Sequence, residues 1–219
     1  MKRRNFLVGA GVAATCFAGV AATPGAMLMA QTAGATWSIG PTLRGKNHSP
    51  GLPATMRETP EGPAFDFPYP RASAGHVHYV TAPAGSLAGA SRMVIRYRID
   101  AAPGTRFVAQ EDPQGTATIS LYFQRAGDTW TMRTPRYRWY SPEDRLVPLS
   151  PGTHEIAIDF DEEWHAMTHE RRSAIPGAFE AALARAERVG FTFGSAPLRG
   201  HGVYATGPAR FTLLDFRVE

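Results

Sequence analysis

The residues best suited to ligand chemistry lie on two predicted β-strands that carry the same tripeptide. Arg96-Tyr97-Arg98 recurs as Arg136-Tyr137-Arg138. Because the side chains of a strand alternate between its two faces, both arginines of each tripeptide share a face and the tyrosine takes the other. A guanidinium group is a planar fork that pairs with carboxylate or sulfate. The repeat therefore predicts a cationic sheet face able to bind an acidic ligand.

Polar residues of a third strand are expected to complete this face. In residues 116–125, the apolar Ile119, Leu121 and Phe123 alternate with polar residues, which predicts one core face and one polar face. The candidate ligand-binding residues are Arg96, Arg98, Tyr122, Gln124, Arg136, Arg138, Tyr140, His76 and His78. We expect the arginines, Tyr122 and Gln124 to be solvent-accessible and close together. The alternative is that the arginines pair with acidic residues of neighbouring strands, as they commonly do on exposed antiparallel sheets.

The histidine pairs offer metal chemistry but do not complete a site. His76 and His78 lie two residues apart on a strand, so both could bind a metal or accept a proton. His165 and His169 have the spacing of a helical metal pair, but no glutamate follows His165 as a metalloprotease motif requires. The acidic run 159–163 lacks the spaced Asp/Asn-Gly loop of a calcium site. We therefore predict no metal site, no cofactor and no catalytic residue.

Several functional classes are disfavoured by what the chain lacks. It has no Gly-x-Ser-x-Gly elbow, phosphate loop or dinucleotide fingerprint after its N-terminal segment, which argues against serine hydrolases, kinases and dehydrogenases. Lys2, Arg3 and Arg4 account for most of the net charge of +4, and no basic run follows them. Nucleic-acid binding is therefore not predicted.

Residues 1–35 are predicted to be a signal peptide. A charged start is followed by an apolar run over 8–22, and Arg3-Arg4-Asn5-Phe6-Leu7 resembles the core of a twin-arginine signal. Cleavage after Ala35, or after Ala30, would release a periplasmic or secreted domain without a stable membrane anchor. The only cysteine, Cys16, would be removed, so the exported domain would contain neither a disulfide nor a reactive thiol.

Glycine and proline divide the rest of the chain into short elements. With 22 Gly and 18 Pro in 219 residues, many short strands are favoured over long helices. Proline-rich residues 36–75 are predicted to form a wrapping arm of turns and short edge strands, and residues 76–219 a β-sandwich core. The expected core strands are 76–81, 92–100, 116–125, 130–140, 153–160, 191–193 and 210–218.

One helix is predicted over residues 176–188. Phe179, Leu183 and Ala186 recur at helical spacing, and Gly190 follows where a C-terminal cap would lie. Trp164, which follows an acidic run, is predicted to be exposed. The fold class is therefore all-β, a sandwich or jelly roll with one short helix near the C-terminal third.

The C-terminal third has a characteristic order of elements: a turn and strand, a tryptophan, a short helix, a glycine-bounded strand and a final core-facing strand. The defining residues are Pro151-Gly152-Thr153-His154, Trp164, Phe179, Leu183, residues 189–194, Phe211 and Phe216. This order resembles galactose-binding-like jelly rolls, which include carbohydrate-binding modules and complex I intermediate-associated proteins. The resemblance implies a fold and identifies no ligand residue. The family's Asp before the last strand is absent, since Ala205-Thr206-Gly207-Pro208 stands there.

Three functions are compatible with these residues. The leading prediction is an exported, non-catalytic protein whose polar sheet face binds a polysaccharide, with acidic polymers favoured. The first alternative is a polysaccharide lyase, because jelly-roll lyases resemble this arrangement in using Tyr or His as a base beside Arg or Gln that neutralises a uronate. That reaction would use His78, Tyr122, Gln124, Arg96 and Arg138. The second alternative, which the complex I resemblance implies, is a structural or assembly protein.

Overall fold

The computed structural model describes residues 34–70 and 77–219, so the predicted signal peptide and His76 lie outside the described residues. The fold is mostly β, and all strand pairs between named strands are antiparallel. The strands are β1 (Ser38–Gly40), β2 (Thr42–Leu43), β3 (Lys46–Asn47), β4 (Ala64–Asp66), β5 (His78–Pro83), β6 (Arg92–Ala101), β7 (Phe107–Ala109), β8 (Thr118–Arg125), β9 (Arg138–Tyr140), β10 (Val147–Pro148), β11 (Gly152–Asp159), β12 (His165–Ala166), β13 (Ala186–Gly194), β14 (Val203–Ala205) and β15 (Ala209–Val218). Helix α1 spans Pro176–Ala184, and short 3-10 helices span Pro135–Tyr137, Glu143–Arg145 and Arg172–Ala174.

Two sheets contain most of the strands. The large sheet has seven strands in the order β1-β5-β13-β8-β9-β12, with β10 also paired to β8. The small sheet has four strands in the order β11-β6-β15-β4. Strands β14 and β7 form a separate pair, as do β2 and β3. Among the described residues, no helix has the length and apolar character needed to cross a membrane.

Aromatic side chains join the two sheets face to face. Phe191 of the large sheet stacks on Phe211 of the small sheet with ring centroids 5.1 Å apart. Phe193 of the large sheet meets Phe65 of the small sheet at 5.9 Å. All four side chains are buried, so the sheets enclose one hydrophobic core in a β-sandwich arrangement.

The predicted alternation holds in the long strands. In β6, Met93, Ile95 and Tyr97 are buried in the core while Arg96 is exposed. Burial of these side chains removes apolar surface from water, which stabilises the fold by about 25 cal/mol for each Å² buried.

Two predicted elements are wrong in extent. Residues 130–140 do not form one strand, because a loop and the 3-10 helix that begins at Pro135 precede the short β9. The predicted helix over 176–188 ends at Ala184, and Ala186 begins β13. That strand pairs with both β5 and β8, so sheet hydrogen bonds outweigh the helical spacing of its first residues.

Trp164 is buried, contrary to the prediction from its acidic neighbours. Its ring stacks on Phe160 with centroids 5.5 Å apart, and its Nε1 donates a hydrogen bond to the Asp159 carbonyl at 2.8 Å. The acidic side chains remain outside while the indole enters the core, which is common for a tryptophan whose N–H finds a partner.

The described part of the proline-rich segment contributes to both sheets. β1 lies at one edge of the large sheet beside β5, and β4 lies at one edge of the small sheet beside β15. The strands β1 to β4 are two or three residues long. Segment 34–70 therefore runs from the edge of one sheet to the edge of the other.

Candidate ligand-binding cleft

A cleft of about 450 Å³ opens on the outer face of the large sheet. Its floor consists of side chains opposite to the core: Tyr79, Arg138, Tyr140 and His165. Their strand neighbours Val80, Trp139 and Ala166 face the core, so the alternation of β5, β9 and β12 directs these polar groups outward. Four loops supply the walls, through residues at 41–48, 130–132, 166–169 and 197–201.

Three tyrosines form a buried cluster at this floor. The hydroxyls of Tyr79 and Tyr140 are hydrogen-bonded at 2.7 Å, and the ring of Tyr122 lies 5.0 Å from that of Tyr79. Burial raises the pKa of all three phenols above their ordinary value. All three hydroxyls therefore stay protonated at neutral pH and are poor bases. Those of Tyr79 and Tyr140, which line the cleft, can exchange hydrogen bonds with a ligand.

A buried ion pair holds Arg138 beside the tyrosines. Its Nε lies 3.2 Å from Asp128 Oδ2, and the side chains of Arg138 and Asp128 are 7% and 0% exposed. The Asp128 carboxylate also accepts hydrogen bonds from Gln124 Nε2 at 3.0 Å and Thr134 Oγ1 at 2.8 Å. Arg138 Nη2 donates to the Thr131 carbonyl at 2.8 Å. This network anchors the 128–134 loop on the large sheet.

Trp130 occupies a conformation that a side chain rarely adopts. Its φ is 58°, and its backbone N–H donates to Asp128 Oδ1 at 3.2 Å. The half-buried indole packs edge-on against Tyr79 at 4.8 Å, with the Arg138 guanidinium 5.4 Å from its ring centroid. Backbone strain of this kind is concentrated at functional sites, where the surrounding contacts maintain it.

A second cleft of about 320 Å³ adjoins the first. Both are lined by Pro41, Tyr79 and Trp130, so Trp130 and Tyr79 form the shared boundary. The second cleft is also lined by Gln124 and Arg188. The outer face of the large sheet thus offers two adjacent compartments.

Arg199 reaches the first cleft from the loop between β13 and β14. The residue is only 8% exposed, its Nη1 donates to the Ser141 carbonyl, and its buried Nε has no hydrogen-bond partner in the described chain. Burial lowers the pKa of this guanidinium, although an arginine remains protonated in proteins.

Gly200 allows the Arg199 loop to pass close over the floor. Its φ is +81°, and a Cβ there would lie 2.3 Å from the Tyr79 hydroxyl. Any side chain would therefore both strain the backbone and collide with Tyr79.

Four of the residues that line the cleft are histidines. His165 is 6% exposed, and burial together with the positive charge of Arg199 lowers its pKa, so its ring is neutral at neutral pH. His48, His169 and His201 also line the cleft, and His201 Nδ1 lies 2.8 Å from Glu111 Oε2. Within 34–70 and 77–219, no three His, Cys, Asp or Glu side chains are grouped so as to hold a metal ion.

The structure separates the predicted arginine face into two parts, so the expectation of one shared, accessible face is wrong. Arg96 and Arg98 belong to β6 and lie on the outer face of the small sheet, on the opposite side of the sandwich from the cleft. Arg138 is in the cleft but buried, whereas Arg136 is exposed and its Nη2 lies 2.6 Å from Glu170 Oε1. The two tripeptides differ because only Arg138 of the second one is in a strand, and that strand belongs to the other sheet.

Four predicted residues do come together on the large sheet. Tyr122, Gln124, Arg138 and Tyr140 are in β8 and β9 and share the outer face, with the Tyr122 hydroxyl donating to Gln124 Oε1 at 3.1 Å. Arg138 and Tyr140 line the first cleft, and Gln124 lines the second. The expectation that Tyr122 and Gln124 are solvent-accessible is wrong, because they are 0% and 2% exposed in the described structure.

His78 lies on the core side of β5, away from the cleft. It is buried, and its Nδ1 accepts a hydrogen bond from the Val203 backbone N–H at 3.0 Å. The adjacent Tyr79 takes the outer face instead, as strand alternation requires.

Sequence reasoning did not assign to the ligand site the residues that complete the cleft: Tyr79, Asp128, Trp130, Arg199 and His165, which was considered only as half of a helical metal pair and lies in a strand instead. Tyr79 could have been identified from the alternation of β5 once the core position of Val80 was known. The other four depend on loops or short strands whose positions no sequence period encodes.

Comparison with known proteins gives no match to any protein-family model and no significantly similar curated protein. The function of this chain is therefore inferred from the residues and the geometry of the cleft.

Proposed function

We propose that this protein binds a polysaccharide in the cleft on the outer face of the large sheet. The observation that carries the proposal is the placement of a half-buried indole, Trp130, beside the hydroxyls of Tyr79 and Tyr140 and the guanidinium of Arg138. A sugar ring has apolar faces that pack on an aromatic ring and hydroxyls around its edge that need hydrogen-bond partners. The cleft supplies both kinds of contact in one place.

The adjoining compartment supports a polymer over a single sugar. Trp130 and Tyr79 line both clefts, so one chain can continue past the indole from the first compartment into the second. The second compartment is also lined by Arg188 and Glu187, whose guanidinium and carboxylate can hydrogen-bond further hydroxyls.

We propose further that the fold is a jelly roll. In chain order, β4, β5, β6, β8, β11, β13 and β15 alternate between the small and the large sheet, while the short strands β9, β10 and β12 stay in the large sheet and β7 and β14 form a separate pair. A chain that crosses repeatedly between two facing antiparallel sheets is typical of that architecture.

The proposed location is the periplasm or the cell exterior, reached through the twin-arginine signal. Replacing both Arg3 and Arg4 with Lys is expected to leave unprocessed precursor in the cytoplasm, because the pair is recognised by the export receptor. Continued export of the doubly substituted precursor would contradict this assignment.

The test of binding is retention of the purified protein on a panel of immobilised neutral and acidic polysaccharides. We expect retention on at least one polymer and release by its soluble oligosaccharides. The matched control is Trp130→Ala, which removes the proposed platform and should reduce retention. Failure to bind every polymer on a broad panel would overturn the proposal.

A second candidate function is a polysaccharide lyase, and His165 is the observation that favours it. Its ring is neutral at neutral pH, lies in the cleft beside Tyr140 in the β9–β12 register, and is near the positive charge of Arg199. A neutral imidazole can take the proton next to a uronate carboxylate while a cation stabilises the charge that develops. The electron pair of the broken C–H bond forms a C=C bond as the C–O bond to the next sugar breaks, and the protonated His165 returns its proton to the leaving oxygen.

The structure changes the residues that this reaction would use. His78 faces the core, and Arg96 and Arg98 lie on the small sheet, so the base would be His165 and the carboxylate would meet the cleft arginines. A lyase would release an unsaturated uronate that absorbs ultraviolet light, whereas a binding protein would give affinity without that product. His165→Asn should abolish product formation while leaving binding largely intact.

A further inference from the structure

We propose that Arg199 binds the carboxylate of an acidic sugar, which makes the cleft selective for uronate-containing glycans. This inference rests on the proposed polysaccharide function and adds the class of sugar and the residue that recognises it. The first observation in its favour is the charge of the residues that line the cleft.

The cleft lining carries positive charge on its arginines. It contains two arginines and four histidines, and none of the lining residues in the described chain is an aspartate or glutamate: Arg138, Arg199, His48, His165, His169 and His201 are the titratable groups besides tyrosine. A concave surface with one sign of charge concentrates ligands of the opposite sign. An anionic ligand is therefore favoured over a neutral one.

The two arginines are not equally available to such a ligand. Asp128 neutralises Arg138 through the 3.2 Å contact between its Oδ2 and the Arg138 Nε. The Thr131 carbonyl accepts a hydrogen bond from the Arg138 Nη2. Arg199 forms no ion pair with any carboxylate of the described residues, although Glu143 is near enough to favour its charged form. Arg199 is thus the cleft arginine that no carboxylate of the described residues contacts.

The environment of Arg199 is that of a prepared anion site. A cation that is 92% buried without a counter-ion is costly, and a carboxylate that enters the cleft would remove that cost. The bond from Nη1 to the Ser141 carbonyl orients the guanidinium and uses one of its five N–H donors. The Nε is buried, so a carboxylate would be bound through the remaining N–H groups of Nη1 and Nη2, which lie on one edge of the planar guanidinium.

Neighbouring groups support the same assignment. His165 remains neutral beside Arg199, so it can hydrogen-bond a sugar hydroxyl without competing for the carboxylate. Gly200 allows the loop to pass close to the Tyr79 hydroxyl, and the adjacent Arg199 lies at the cleft. A uronate with its carboxylate on Arg199 would find the cleft tyrosines and Trp130 as the remaining partners of its ring.

The experiment compares acidic polymers with their own neutral derivatives. Isothermal titration of the full chain uses oligosaccharides of galacturonan, glucuronan and alginate, each before and after reduction of the carboxyl groups to alcohols. We expect at least one uronate oligosaccharide to bind about tenfold or more tightly than its reduced form, as the loss of a charged hydrogen bond predicts. Added salt should weaken only the acidic form.

The variants locate that preference. Arg199→Gln should weaken uronate binding by about 10- to 100-fold and leave binding of the reduced form unchanged, because glutamine retains a donor for Ser141 but loses the charge. Arg199→Lys should recover part of the affinity, since it restores the charge without the fork. The matched control Arg96→Gln removes the same charge from the exposed face of the small sheet and should leave both affinities unchanged.

Each outcome decides between the two proposals. No binding of any acidic or neutral glycan overturns the polysaccharide function itself. Equal binding of acidic and reduced forms, equal weakening of both by Arg199→Gln, or binding of sulfated polymers alone overturns the carboxylate assignment and leaves glycan binding intact. Should Arg199→Gln fail to fold by circular dichroism, the comparison of the two glycan forms with wild-type protein and Arg199→Lys still decides.

Discussion

The outer faces of the two sheets both carry arginines, yet the arginines have opposite surroundings. On the small sheet, Arg98 pairs with Glu61 at 2.5 Å and Arg210 pairs with Asp66 at 2.7 Å, and the carboxylates are more than half exposed. On the large sheet, Arg138 is buried with Asp128, and Arg199 is buried with no counter-ion in the described chain. The outer face of the small sheet carries solvent-exposed ion pairs, whereas the outer face of the large sheet carries a partly enclosed cleft.

The contrast teaches that the role of an arginine is decided by water and by nearby carboxylates, not by its strand position. Exposed pairs contribute about 0–1 kcal/mol because water screens the charges. In the cleft, Arg138 and Arg199 are 6% and 8% exposed, so each charge must be matched by the protein or by a ligand. Recognition chemistry is therefore expected on the large sheet alone.

The largest difference between the faces should appear in stability when one acidic partner is removed. Asp128→Ala leaves Arg138 buried without its counter-ion and removes acceptors from Gln124 and Thr134, so the free energy of unfolding should fall by about 3–5 kcal/mol. Asp66→Ala, on the small sheet, should cost less than about 1 kcal/mol. Urea denaturation with an unchanged slope measures both, and similar losses would erase the distinction between the faces.

The next largest effect should appear in binding when an aromatic side chain is removed. Trp130→Ala should weaken glycan binding by about 2 kcal/mol, because truncating a central tryptophan of an interface typically costs at least that much. Tyr69→Ala is the control, since Tyr69 is 57% exposed and does not line the cleft. Titration with the best polymer of the panel compares the two, and equal weakening would show that the indole is not the platform.

A smaller effect should appear in the pH dependence of stability. The pKa of His165 is lowered in the folded protein by burial and by Arg199, so the unfolded chain binds a proton at higher pH than the folded chain does. Stability from this residue is therefore present above about pH 6.5 and is lost as the pH falls below that value. His165→Asn should flatten this part of the profile, measured as the denaturation midpoint against pH.

The control for that measurement is His154→Asn on the small sheet, which leaves His165 in place and should keep the wild-type slope. A His165→Asn protein with the same slope as wild type would show that the titration of His165 does not contribute.

The smallest effect is expected for the small-sheet arginine that the tripeptide repeat suggested as a ligand residue. Arg98→Gln removes only exposed ion pairs with Glu61 and Asp100, so both glycan affinity and melting temperature should be unchanged within error. Weaker glycan binding by this variant would indicate a ligand site on the small sheet and would contradict the expectation that recognition takes place on the large sheet alone.

Much of the β architecture could be predicted from sequence, whereas only part of the cleft could. The alternation in β6 and β8 identified the side chains that face the core between the sheets, because a period of two needs no knowledge of the neighbouring strand. Tyr122, Gln124, Arg138 and Tyr140 were correctly placed opposite the core for the same reason. Arg96 and Arg98 were assigned to the same face because alternation orders the faces of one strand but does not say which sheet the strand joins.

The sequence by itself determined the class of fold, the core-facing side of each long strand and the turns that separate the strands, since these depend on local periodicity and on glycine and proline. Only the tertiary structure decided which polar residues meet. Arg199 is hydrogen-bonded to Ser141, which lies 58 positions away in the sequence. The hydroxyl of Tyr79 is hydrogen-bonded to that of Tyr140, which lies 61 positions away. Such contacts arise from the pairing of distant strands and from loops that fold back over the sheet, and no local pattern of residue types encodes them.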